Sequence, residues 1–116
     1  MGKRRAGPDG GLLIVETSVF TRQVASLLDA ESYRLLQVEL VRNPEAGALI
    51  RGSGGLRKIR WARRGGGKRG GLRVIYYWHP PKGILLLLVA YPKTELDVLT
   101  AAQLRALRRL IEEEFQ

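Results

Sequence analysis

Residues 56–91 read LRKIRWARRGGGKRGGLRVIYYWHPPKGILLLLVAY, and their period is that of a β-sheet. Leu56, Lys58, Arg60 and Ala62 alternate with Arg57, Ile59, Trp61 and Arg63. Successive side chains of a strand point to opposite faces, so burying Ile59 and Trp61 leaves Lys58 and Arg60 together on the other face. Gly65 to Gly71 supplies a flexible hairpin tip carrying Lys68 and Arg69. Leu72 to Trp78 follows as a second strand, rich in β-branched and aromatic residues. His79-Pro80-Pro81-Lys82-Gly83 makes a turn. Ile84 to Tyr91 returns as a third strand, and its unbroken leucine run predicts a central strand covered on both faces.

The flanks read as helices and one more strand. Leu12 to Val15 is a short apolar run suited to a buried strand, ending at Thr17 and Ser18, both good helix N-caps. Phe20, Val24, Leu27 and Leu28 then recur at helical spacing. Asp29 can cap a second helix with Tyr33, Leu36 and Leu40 as its stripe, and Asn43-Pro44 stops it, because proline disfavours helical geometry in the residue before it. Residues 43–55 read as a connecting loop. Thr100 starts a last helix, with Gln103 completing a capping box and Leu104, Leu107, Ile111 and Phe115 forming its apolar stripe. The order β-α-α-β-β-β-α predicts an α+β domain: a small antiparallel sheet, two N-terminal helices packed on it and a C-terminal helix. Residues 1–11 are expected to be a flexible basic leader or start-site extension, and 12–116 a single domain.

Charge narrows the function. Nine cations and no anion lie between Arg51 and Arg73: Arg51, Arg57, Lys58, Arg60, Arg63, Arg64, Lys68, Arg69 and Arg73. The remaining 11 Lys and Arg balance all 11 Asp and Glu, so the whole formal charge of +9 sits in about a fifth of the chain. A phosphate backbone is the default partner for such a concentration. Interleaving with apolar residues at strand spacing separates it from a solvated basic loop.

Other chemistry is poorly supplied. The chain has no cysteine, hence no disulfide framework and no thiolate nucleophile, which fits a reducing cytoplasm. Its one histidine, His79, lies in the turn beside two prolines and reads as a solvated residue. Without further His or Cys a zinc site would need clustered carboxylates, so no metal or other cofactor is expected. Asp29 and Glu31 read as helix-start charges rather than an acid pair. The glycines at 65–67 lack the trailing Lys-Ser/Thr of a phosphate-binding P-loop. Arg, Lys and Tyr on a sheet remain. Arginine holds a phosphate through paired hydrogen bonds, lysine or tyrosine can move a proton, and RNA brings its own 2′-OH nucleophile. By itself this composition supports binding more strongly than cleavage.

Gly54-Gly55-Leu56-Arg57-Lys58-Ile59-Arg60-Trp61-Ala62, followed by Gly67-Lys68-Arg69-Gly70-Gly71-Leu72-Arg73-Val74-Ile75-Tyr76-Tyr77, resembles the central motif of HigB-type toxins. These belong to the RelE/ParE superfamily of bacterial toxin–antitoxin systems. The resemblance runs through RLLQVELVRNP (Arg34 to Pro44) and YPKTELDVL (Tyr91 to Leu99), covering about residues 12–112. It implies a RelE-like fold and a ribosome-dependent endoribonuclease that cuts translated mRNA without metal, the 2′-OH attacking the adjacent phosphate. By position it implies Arg73 and Arg60 as phosphate clamps and Lys58, Lys93 or Tyr91 as proton carriers. Arg57, Arg63, Arg64, Lys68 and Arg69 would face ribosomal RNA. Thr94 and Leu99 stand near where RelE carries an arginine and a tyrosine. The implied partners are the ribosome, mRNA and a HigA-like helix-turn-helix antitoxin, with operator DNA reached only through the antitoxin and no membrane. Two alternatives share the sequence features: a ParE-like gyrase inhibitor of the same fold, and a non-catalytic nucleic-acid-binding module.

Overall fold

Four consecutive leucines with no exposed member require a strand that is covered twice. Leu85 to Leu88 are each fully buried, and they lie in the centre of a six-stranded sheet. The computed structural model describes residues 4–6, 12–62, 71–93 and 98–115. The strands are β1 (Arg4–Ala6), β2 (Leu13–Glu16), β3 (Ala48–Leu49), β4 (Arg57–Ala62), β5 (Gly71–His79) and β6 (Ile84–Pro92). The helices are α1 (Ser18–Leu27), α2 (Ala30–Arg42) and α3 (Ala101–Phe115), and the strand order is β1-β2-β6-β5-β4-β3. The α+β class read from the sequence holds. Among the described residues no helix is long and apolar enough to cross a membrane.

Three features depart from the expected order. The sheet is mixed rather than antiparallel throughout, because β2 runs parallel to β6, pairing Leu13 with Ile84 and Glu16 with Leu87. Two helices between β2 and the hairpins reverse the chain, which makes a parallel return possible. The loop after α2 contains the short β3, pairing Ala48 with Lys58 and Leu49 with Arg57. The leader, expected to be flexible, contributes β1, whose Arg4 pairs with Val15 and Ala6 with Leu13. The rest of the leader and the glycine-rich hairpin tip lie outside the described residues.

Local signals set the helix ends. Thr17 Oγ1 accepts from the Phe20 amide at 3.0 Å and donates to the Leu88 carbonyl at 2.7 Å, so one hydroxyl caps α1 and ties it to β6. Asp29 accepts from the Ser32 amide at 2.7 Å and starts α2; Asn43 ends it. Thr100 and Gln103 form the reciprocal capping box of α3, at 2.8 and 3.1 Å.

The sheet divides two cores. Phe20, Val24, Leu36 and Leu40 of α1 and α2 pack on Ile59, Val74, Tyr76, Leu85 and Leu87. On the opposite face Leu107 of α3 packs with Val15, Leu56, Ile75, Leu86, Leu88 and Tyr91, flanked by Leu104 and Ile111. His79 is not a solvated turn residue: it ends β5 and stacks on Phe115, ring centroids 4.1 Å apart and tilted by 26°. That contact fastens the end of α3 to the sheet.

Tyr76 pins the segment that precedes β4. Its hydroxyl donates to the Pro44 carbonyl at 2.7 Å and accepts from the Gly47 amide at 2.8 Å. Position 47 must be glycine, since a Cβ there would stand 2.8 Å from Tyr76 Cε1 and 3.0 Å from the Lys58 carbonyl. Burial is the leading cause that raises the Tyr76 pKa above its ordinary 10.0. Tyr76→Phe removes both bonds and leaves the Gly47 amide buried without its acceptor. The expected cost is about 1–3 kcal/mol in urea denaturation. A raised folded-state pKa means that the unfolded chain loses the phenolic proton first. The hydroxyl's contribution is therefore complete below about pH 10 and is lost as pH rises through the folded value. The stability difference between wild type and Tyr76→Phe should shrink in that alkaline window, and a constant difference would sink the account.

Candidate nucleic-acid interface

Cross-strand register collects three of the implied residues. Arg60 on β4 pairs with Arg73 on β5, and Arg73 pairs with Tyr91 on β6. Residues opposite one another in a ladder share a face, so the three form one row across the sheet, about 10 Å from end to end. The face is the one that α3 covers, as Tyr91 belongs to its core cluster. Lys58, two residues before Arg60 on the same strand face, pairs with Ile75 and lies beside the row. Lys93 extends the β6 ladder by one bond, its amide donating to the Gly71 carbonyl at 3.2 Å, and its side chain is exposed.

A bulge makes this row. Ile75 pairs with Val89 while Tyr76 pairs with Leu87, so Leu88 is an extra residue in β6. With a regular ladder Arg73 would stand opposite Ala90, and Tyr91 would fall opposite Leu72 on the α1–α2 face. The inserted residue turns every later side chain of β6 over, bringing Tyr91 to the Arg73 face.

The row is graded in depth. Arg60 is exposed, Lys58 half-buried, and Arg73 and Tyr91 only 5% and 7% accessible. An anion at Arg60 would thus meet water on one side and the packed sheet on the other, where electrostatic attraction is less damped.

Not all the expected cations join. Arg57 points to the other face, and its guanidinium donates to the Gly47 carbonyl at 2.8 Å and the Glu45 carbonyl at 3.2 Å. A 3.9 Å ion pair with Glu45 completes its role as a staple between β4 and the preceding turn. Arg63, Arg64, Lys68 and Arg69 lie outside the described residues.

Sequence reasoning missed what lies beside Tyr91. A cavity of about 380 Å³ opens between the last residues of β6 and α3, lined by Gln23, Val89, Tyr91, Leu99, Gln103, Ala106 and Leu107. Gln103 was visible only as a capping residue, and Gln23 carried no signal beyond a polar position on α1. Gly54 and Gly55 also gain a reason. Gly55 has φ +110°, and a Cβ there would stand 2.9 Å from Tyr77 Cε1; on Gly54 it would stand 3.0 Å from Arg108 Nε of α3. Gly54 thus admits Arg108 of α3, and Gly55 admits Tyr77 of β5. No protein-family model matches the chain.

Proposed function

We propose that this chain is the toxin of a type II toxin–antitoxin system, a ribosome-dependent endoribonuclease that cuts translated mRNA in the cytoplasm. The observation that carries the proposal is the Arg60–Arg73–Tyr91 row, with Lys58 beside it and Lys93 two residues beyond Tyr91 along the chain. Two arginines on one face can hold a phosphodiester and stabilise the extra charge of its transition state. The 2′-oxygen forms a bond to phosphorus as the bond to the 5′-oxygen breaks. Lys58, Lys93 or Tyr91 takes the 2′-OH proton and another of them returns one to the leaving 5′-oxygen, leaving a cyclic phosphate and a 5′-hydroxyl. The concentrated positive charge supplies the docking surface for ribosomal RNA, and a HigA-like helix-turn-helix antitoxin would restrain the toxin and carry it to operator DNA.

Primer extension on a translated message tests the reading. Cuts should appear only with ribosomes present, and Arg73→Ala should abolish them. Supercoiling by DNA gyrase should be untouched. Inhibition of gyrase with intact messages would favour the ParE-like alternative. Salt-dependent binding to free RNA with no cut on ribosomes would leave a binding module only.

A further inference from the structure

The cavity beside Tyr91 is placed to receive something attached to the phosphate that the arginine row would hold. Its walls are Val89, Leu99, Leu107 and the Tyr91 side chain, and two amides, Gln23 and Gln103, complete the lining. About 380 Å³ lies within the range of small-molecule pockets and suits a flat heteroaromatic ring. Apolar and aromatic walls with a few polar groups are how proteins hold an unstacked RNA base.

Both amides are fixed in orientation. Gln23 Oε1 accepts from the Ala90 amide at 2.8 Å, closing the β6 edge beyond the point where β2 ends. Gln103 Oε1 accepts from the Thr100 amide at 2.8 Å in the capping box. A backbone N–H needs an acceptor, so in each case the oxygen faces the backbone and the NH2 group is left over. Each NH2 is thereby left to donate elsewhere, and both residues belong to the cavity lining.

We infer that this cavity is a nucleobase pocket for the nucleotide next to the phosphate on the Arg60–Arg73 row, and that the amide donors of Gln23 and Gln103 favour guanine over adenine. Guanine presents adjacent acceptors, O6 and N7, where adenine puts a donor amino group in place of O6. The inference rests on the nucleic-acid reading above and adds to it a base preference.

Titration of the 15N-labelled full chain by NMR, with each of the four ribonucleoside 5′-monophosphates and separately with inorganic phosphate, tests it. GMP should shift the side-chain amide signals of Gln23 and Gln103 saturably, AMP should bind about tenfold more weakly, and inorganic phosphate should leave those signals in place. Ala106→Trp fills the cavity from an exposed helix position without removing a hydrogen bond, and should abolish the GMP response. Ala102→Trp, exposed on α3 but outside the cavity lining, should keep it. Preserved dispersion of the backbone spectrum shows that either variant is folded, and the unmodified chain is informative alone. Amide shifts reproduced by phosphate, equal responses to AMP and GMP, or an unchanged titration in folded Ala106→Trp would each overturn the pocket. A cavity that responds only to an apolar peptide would overturn it too. The titration needs neither ribosome nor cleavage. Binding of GMP with intact messages sinks the nuclease reading alone; cleavage without amide shifts sinks the base pocket alone.

Discussion

Arg73→Lys should lower single-turnover cleavage of ribosome-bound message by about a hundredfold or more, with little change in ribosome affinity, if the proposed nuclease acts through the arginine row. The charge survives this substitution, but the planar fork that can hold two phosphate oxygens does not. Arg73 stands in the middle strand of the row, between Arg60 and Tyr91, so it is the member closest to both neighbours. Its 5% accessibility sets it against the packed sheet, where a lost hydrogen bond to developing charge is poorly replaced by water. Arg73→Ala should be more severe and ambiguous, because truncating a buried side chain also disturbs packing. Lysine separates the two effects: melting temperature should move little while the rate collapses. Arg60→Lys, at the exposed end, should lose less. Wild-type rates in a stable Arg73→Lys protein would remove Arg73 from the phosphate site and leave the proposed mechanism without its centre.

What the sequence disclosed and what it hid follow from how local each signal is. Thr17, Asp29 and the Thr100–Gln103 pair were readable because a cap acts within three residues. The alternation of β4 was readable because Ile59 and Trp61 mark one face. The leucine run of β6 announced two covered faces, but an unbroken run has no phase, so the extra residue at Leu88 left no trace. Arg73 and Tyr91 could thus be named separately, through a resemblance, while their adjacency could not be read at all. Parallel pairing of β2 with β6 was hidden for a similar reason: Leu13 and Ile84 are joined across the whole length of two helices and two hairpins. Alternation already set Arg57 on the face opposite Lys58 and Arg60, but its bonds to the distant turn at Glu45–Gly47 left no local signal.

Leu87→Ala and Leu86→Ala should each cost about 2–5 kcal/mol, although the two side chains face opposite layers. Both residues are fully buried, Leu87 under α1 and α2 and Leu86 under α3. In a sheet covered on one face only, one of the two would look into solvent and its truncation would be nearly silent. Two similar losses of urea midpoint are therefore the signature of the three-layer arrangement. Against the 5–15 kcal/mol that holds an ordinary domain together, either loss is a large share. The variants should nevertheless part company in function. Leu86 shares its cluster with Tyr91 and Leu107, so removing its side chain loosens the contact between α3 and the row. Leu87 supports the α1–α2 layer, whose described contribution to the cavity lining is Gln23. At a temperature where both proteins remain folded, Leu86→Ala should lose more cleavage than Leu87→Ala at equal loss of stability. Equal activities would mean that α3 packing contributes nothing to the site beyond keeping the chain folded.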